Sequence, residues 1–146
     1  MANRYCSREQ VKAAAQIAGV EKNAQIDGLI EAASRRIDSE TRRNFIPITQ
    51  TRLYRWPNRM GSGYQLWLDA DLLSTAPTIK TRAQDSTPTT LGSTDYFLEP
   101  KNYAPPFNRI EINIESAAAF EAGETPQRSI SVTGKWGWGE NTKTGG

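Results

Sequence analysis

The chain has 146 residues, with 18 Lys plus Arg against 16 Asp plus Glu and no histidine. Its length suits one domain burying roughly two thirds of its unfolded surface, and 37% hydrophobic with 23% charged residues suits a folded, soluble chain. The missing histidine excludes a His-assisted Ser or Cys nucleophile and any imidazole ligand or base, while a net charge of +2 is too balanced for a dedicated nucleic-acid coat.

In chain order, Ser7-Arg8-Glu9-Gln10 matches a capping box, with Ser at the cap and Gln three residues later. It predicts a helix to Ala18, with Val11, Ala14, Ala15, Ile17 and Ala18 on the apolar side and Gly19 as its stop. A short turn, VEKN, leads to a long amphipathic helix over 23–45, the stretch around which the rest is arranged. Ile26, Leu29, Ile30, Ala33 and Ile37 recur at spacings of three and four and share one face. Glu31, Arg35, Arg36, Asp38, Glu40 and Arg42 occupy the other, with Glu31–Arg35 and Asp38–Arg42 as acid-first pairs four apart. Asn23 is the expected N-cap, Arg42 and Arg43 suit the negative end of the helix dipole, and Asn44 is placed for a left-handed exit. Gly28, inside the helix, hints at close packing. The two helices together predict an antiparallel hairpin.

Beyond Pro47 the period changes from 3.6 to 2. Strands are expected over 48–56, 64–69, 78–82, 95–98, 109–115 and 129–133. The run 109–115 alternates most cleanly, with Ile110, Ile112 and Ile114 inward. Residues 57–63 read as a turn, 84–92 as a surface hairpin tip, 101–108 as an ordered loop or extended arm, and 116–124 as a helical turn or loose loop. Trp67 faces away from Leu66 and Leu68, either packed under a loop or serving as an interface anchor. The fold class is therefore α+β: a helical hairpin over 1–45, a small antiparallel β region over 46–135, and a flexible C-terminal tail over 136–146, one compact domain overall. We see no internal repeat.

Chemistry-bearing motifs are sparse. There is no GxGxxG, no GxxxxGK[ST] and no clustered cysteine. No cofactor, no metal and no catalytic residue is expected, and the reading is of a protein that is not an enzyme. Asp69, Asp71 and Glu99 lack the spacing of a cation loop. The lone Cys6 allows no intrachain disulfide and suits a reducing cytosol. No apolar run approaches the ~20 residues of a membrane span, and residues 1–10 lack an apolar signal core, so neither membrane nor export is expected. Two features stay open. Trp136 and Trp138, flanking Gly137, would point the same way in an extended run, to fill a partner's pocket, stack on bases or sugars, or cap the sheet. Arg35, Arg36, Arg42 and Arg43 either contact phosphates or form an ordinary solvated face.

Several pieces in order carry a resemblance. They are the early Ser-x-x-Gln helix, Leu29-Ile30-Glu31-Ala32-Ala33-Ser34, and Ile37 through Thr41-Arg42-Arg43-Asn44-Phe45. Asp95-Tyr96-Phe97-Leu98 with Pro100 follows, and then Ile130-Ser131-Val132-Thr133-Gly134-Lys135-Trp136-Gly137-Trp138. Their order and spacing, over nearly the whole chain, resemble the head–tail connector (adaptor, or head-completion) proteins of long-tailed bacteriophages. That resemblance implies a structural virion protein of the capsid–tail neck, assembled in the host cytoplasm. It implies a homo-oligomeric ring, typically of twelve subunits, beneath the portal vertex. The ring would extend the channel for genomic DNA and dock the tail or a stopper (neck) protein. By the same resemblance the helices pack subunit to subunit. The resemblance also sends the C-terminal tail towards the portal, which makes Trp136, Trp138, Gly139, Glu140, Asn141, Thr142 and Lys143 the expected portal-binding tail. The helix arginines themselves motivate the further expectation that Arg35, Arg36, Arg42 or Arg43 lies at the subunit interface or lines the channel. Relatives commonly continue past the Trp-Gly motif into further helices, whereas the residues here end at Gly146. The rival readings are a nucleic-acid-binding module using the helix arginines with the C-terminal tryptophans, and a sugar- or peptide-binding domain.

Overall fold

The computed structural model describes residues 4–43, 45–58, 63–102 and 105–138. Two helices, α1 (Arg8–Ala15) and α2 (Asn23–Thr41), precede seven strands. These are β1 (Ile48–Tyr54), β2 (Gln65–Leu72), β3 (Thr78–Thr81), β4 (Thr89–Thr90), β5 (Tyr96–Glu99), β6 (Phe107–Ile112) and β7 (Ile130–Trp136). The class is α+β, as the switch of period implies.

The Ser7 box forms as read: Ser7 Oγ accepts from the Gln10 amide at 3.1 Å, and the Gln10 side chain accepts from the Ser7 amide at 2.8 Å. The helix stops earlier than expected, because Gln16 takes the left-handed C-cap (φ 55) and Gly19 (φ 86) serves the turn beyond. At the start of α2 the cap position falls on Lys22, which makes no side-chain cap bond. Asn23 is instead the first helical residue, and its Oδ1 accepts from Lys12 Nζ of α1 at 3.1 Å. A cross-helix bond thus replaces the expected local one. Arg42 (φ 54) makes the left-handed exit assigned to Asn44, which lies outside the described residues.

The seven strands are all antiparallel and curl into a half-barrel. β7 is its spine. β1 runs along one edge of β7 from Ile48↔Trp136 to Tyr54↔Ile130. The other edge is shared by β3 (Thr78↔Thr133 to Lys80↔Ser131) and the end of β2 (Leu72↔Trp136). β6 pairs with β2 through a register shift between Trp67 and Leu72, β5 pairs with β6, and the two-residue β4 pairs with β3. Leu66, Leu72, Ile79, Ile110, Ile130, Val132 and Trp136 on these strands are fully buried.

β7 runs through Gly134 to Trp136, so a tail beginning at residue 136 is corrected: Trp136 is core, and the indole Nε1–H donates to the Gln50 carbonyl at 3.1 Å. Gly134 is there for space, since a Cβ would lie 2.9 Å from Ser74 Oγ. Ile114 is corrected too: β6 ends at Ile112, and Ile114 is 76% exposed. The 113–129 connection is not a loose loop. Phe120 (5% exposed) packs against Trp56 with ring centroids 5.1 Å apart and the rings tilted by 47°, and Asp85 accepts from the Glu124 amide at 2.8 Å. Gly123 (φ +71) passes so close that a Cβ would meet Asp85 Oδ1 at 2.5 Å.

Candidate interaction surface

α2 is the longest element, and α1 is too short to cover it. Nineteen residues span about 28 Å at 1.5 Å per residue, whereas the eight of α1 span about 12 Å. Ile26, Ile30 and Ser34 are buried on α2, and Ser34 Oγ accepts from the Tyr5 amide at 3.2 Å. Leu29 (62% exposed), Ala33 and Ile37 (41% exposed) stand outside, four residues apart and therefore in one stripe. The expected apolar face is real in sequence, but the fold covers only one side of it. Nor does the sheet help, because the helices pack on each other and on none of the strands. Gly28 sits beside this stripe with nothing within 4 Å of an added Cβ, so the close packing expected there is corrected.

Charges fasten the hairpin at its opening. Arg8 Nε donates to Asp27 Oδ1 at 2.9 Å, Arg4 lies 3.4 Å from the same carboxylate, and the Arg8 bond holds the Asp27 carboxyl below its ordinary range. Tyr5 donates to Asp38 and accepts from the Phe45 amide at 3.2 Å, while the Phe45 ring meets Tyr5 edge-on at 5.7 Å. Burial, then the Asp38 bond, pushes the Tyr5 phenol up.

The sequence-predicted arginines separate into different settings. Arg35 lies 3.8 Å from Glu31 and 3.5 Å from Asp38; Arg36, 81% exposed, lies 3.8 Å from Glu40. Arg42 is exposed at the C-cap. The expected Asp38–Arg42 pairing gives way to Tyr5 and Arg35, because the left-handed cap takes Arg42 off the helical lattice. Arg43 reaches Asp71 of β2 at 3.2 Å and lies over the Trp138 ring at 5.9 Å. Trp138 is 51% exposed, whereas its predicted companion Trp136 is fully buried: the chain turns at Gly137, so the two rings do not share a face. Gly139, Glu140, Asn141, Thr142 and Lys143 lie outside the described residues.

The carboxylates weighed for a cation are each engaged by a different partner. Asp69 accepts from Tyr54 Oη at 2.8 Å and pairs with Arg52, Asp71 pairs with Arg43, and Glu99 accepts from the Lys101 amide at 3.1 Å. No group of three possible metal ligands occurs among the described residues. On the outer sheet face Trp67 is half-buried, with the Arg109 guanidinium 5.1 Å above the ring and Asn58 accepting from the Trp67 amide at 3.2 Å. No described helix is long and apolar enough to cross a membrane.

The Arg43 contact was not readable in the sequence, because Asp71 lies 28 residues away with no local pattern linking them. Phe120 carried a weak signal, a lone aromatic among alanines. No family model, no curated protein and no solved structure matches this chain.

Proposed function

We propose that this chain is a structural protein of a tailed-phage virion. In that reading it is a head–tail connector that forms a ring beneath the portal, extends the DNA channel and docks the tail or next neck protein. The observation that carries the reading is the uncovered stripe Leu29–Ala33–Ile37 on a helix that packs against no strand. Covering the exposed parts of Leu29 and Ile37 would contribute about 2 kcal/mol per contact. A heterologous contact of that kind closes into a ring when the rotation permits. The motif order set out above supplies the family, and the mechanism is physical rather than chemical: repeated contacts present a symmetric docking surface.

Within this reading Trp138 and residues 139–143 are the portal-directed segment, without Trp136. Arg36 and Arg42 remain available to a neighbouring copy or the channel. The nucleic-acid alternative is less well supported: Trp136 is not exposed for stacking, and Arg35 and Arg36 stand beside acids of their own helix.

The test is the mass of the purified chain alone and mixed with candidate portal rings, by native mass spectrometry or light scattering. Multi-copy rings on portals are the expected result. A monomer indifferent to portals but retarded by DNA would replace the connector with the nucleic-acid module.

A further inference from the structure

The hairpin and the half-barrel meet through the chain at 42–47, and the side chains there cross over. Phe45, past the helix, turns back to Tyr5 of the hairpin. Arg43, nearer the helix, reaches forward to the half-barrel, 3.2 Å from Asp71 and over the Trp138 ring. The receiving side is already assembled: the Gly137 amide donates to the Asp71 carbonyl at 2.9 Å, and Leu72 pairs with Trp136 beside it. The Asp71 carboxylate and the Trp138 indole are therefore carried on one rigid corner, and Arg43 is the part that enters or leaves.

We infer that Arg43, Asp71 and Trp138 form a releasable clasp that fixes the orientation of the helical hairpin on the half-barrel. Three observations make it releasable. Arg43 is 50% exposed while Asp71 is 14% exposed, so water reaches the ion pair from the arginine side and screens it there. Trp138 is 51% exposed, so its other surface is open to a partner. The helices share no packed surface with the strands that would hold the orientation without the clasp. A partner that covers the Trp138 ring or pairs with Asp71 takes Arg43 out, and the hairpin, with Phe45 still held to Tyr5, then turns about residues 46–47 ahead of β1, element-terminal residues of the kind that serve as hinges. The clasp holds whether or not the chain is a connector, so its test stands apart from the portal experiment.

Cys6, exposed ahead of α1, takes one spin label, and Thr89→Cys on β4 takes the second. Pulsed electron–electron resonance on the full chain then reads the distance distribution between the two halves. The clasped chain is expected to give one narrow distance. Arg43→Ala is expected to raise the population at other distances about tenfold, the combined scale of an exposed ion pair and a cation–π contact. Asp71→Asn, close in size to the original, is expected to give the same broadening. Arg43→Lys, which keeps the charge, should fall between wild type and Arg43→Ala. Melting followed on the half-barrel checks that each variant is folded. Folded Arg43→Ala and Asp71→Asn chains with the narrow wild-type distance would overturn the clasp, as would a wild-type distribution already as broad as theirs.

Discussion

In the half-barrel, Leu66, Ile79, Ile110, Ile130, Val132 and Trp136 are all at 0% exposure. In the hairpin, α1 buries no residue fully, and α2 covers Ile26, Ile30 and Ser34 while leaving Leu29, Ala33 and Ile37 outside. Strand pairing brings distant segments together and closes a core from both faces, with even the 113–129 connection locked down by Phe120 and Asp85. Two helices of unequal length have no such closure. The half-barrel therefore closes its own core, while the hairpin carries an apolar face that the described residues do not cover.

That contrast can be broken where it is strongest. Trp136→Ala removes the largest fully buried side chain and should cost about 3–5 kcal/mol in denaturant unfolding; a loss near zero would remove the half-barrel's claim to be the stable body. Gly123→Ala should cost roughly 1–3 kcal/mol, combining a strained φ with a clash against Asp85.

Acid probes both halves together. Asp85 is held below the usual carboxylate range by the Glu124 amide and then Arg82, Asp95 by the Ser116 hydroxyl and then the Gly92 amide, and Asp27 by Arg8. Because these folded-state values are depressed, the stability they confer is present above about pH 4, the ordinary value for Asp. It is lost as the pH falls below that through the folded values. Thermal melts should thus drop in the acid range, and Asp85→Asn should flatten that dependence; an unchanged slope would count against the lock at Gly123.

In the hairpin the sign reverses. Gly28→Ala has open space and a helical backbone, so it should stabilise the free chain by about 0.5–1 kcal/mol. The smallest effect is also the most informative. Leu29→Gln should leave the free chain within about 0.5 kcal/mol of wild type, as exposed positions do, yet weaken self-association measured by light scattering. A large loss of monomer stability would mean that Leu29 is already covered.

The half-barrel was legible where one residue decides one local choice. Alternation at Ile110 and Ile112 marked β6, and the period change after Pro47 marked the fold class. It was not legible where pairing overrides local preference. The Trp136-Gly137 run read as the start of a loose tail, but pairing with Ile48 of β1 and Leu72 of β2, and burial, hold Trp136 in the sheet. The α2 stripe was legible as a pattern, yet periodicity cannot say whether its partner is in the same chain. α1 proved too short, which is a matter of length rather than of pattern. The Arg43 clasp depends on a contact 28 residues distant and left no trace in local spacing.

The most direct measurement is amide hydrogen exchange along α2 and β7, in the free chain and after mixing with portal rings. The account predicts that β7 is strongly protected in both, while α2 exchanges faster in the free chain and gains protection on assembly. Equal protection of α2 and β7 in the free chain, unchanged in a demonstrated assembly, would contradict it.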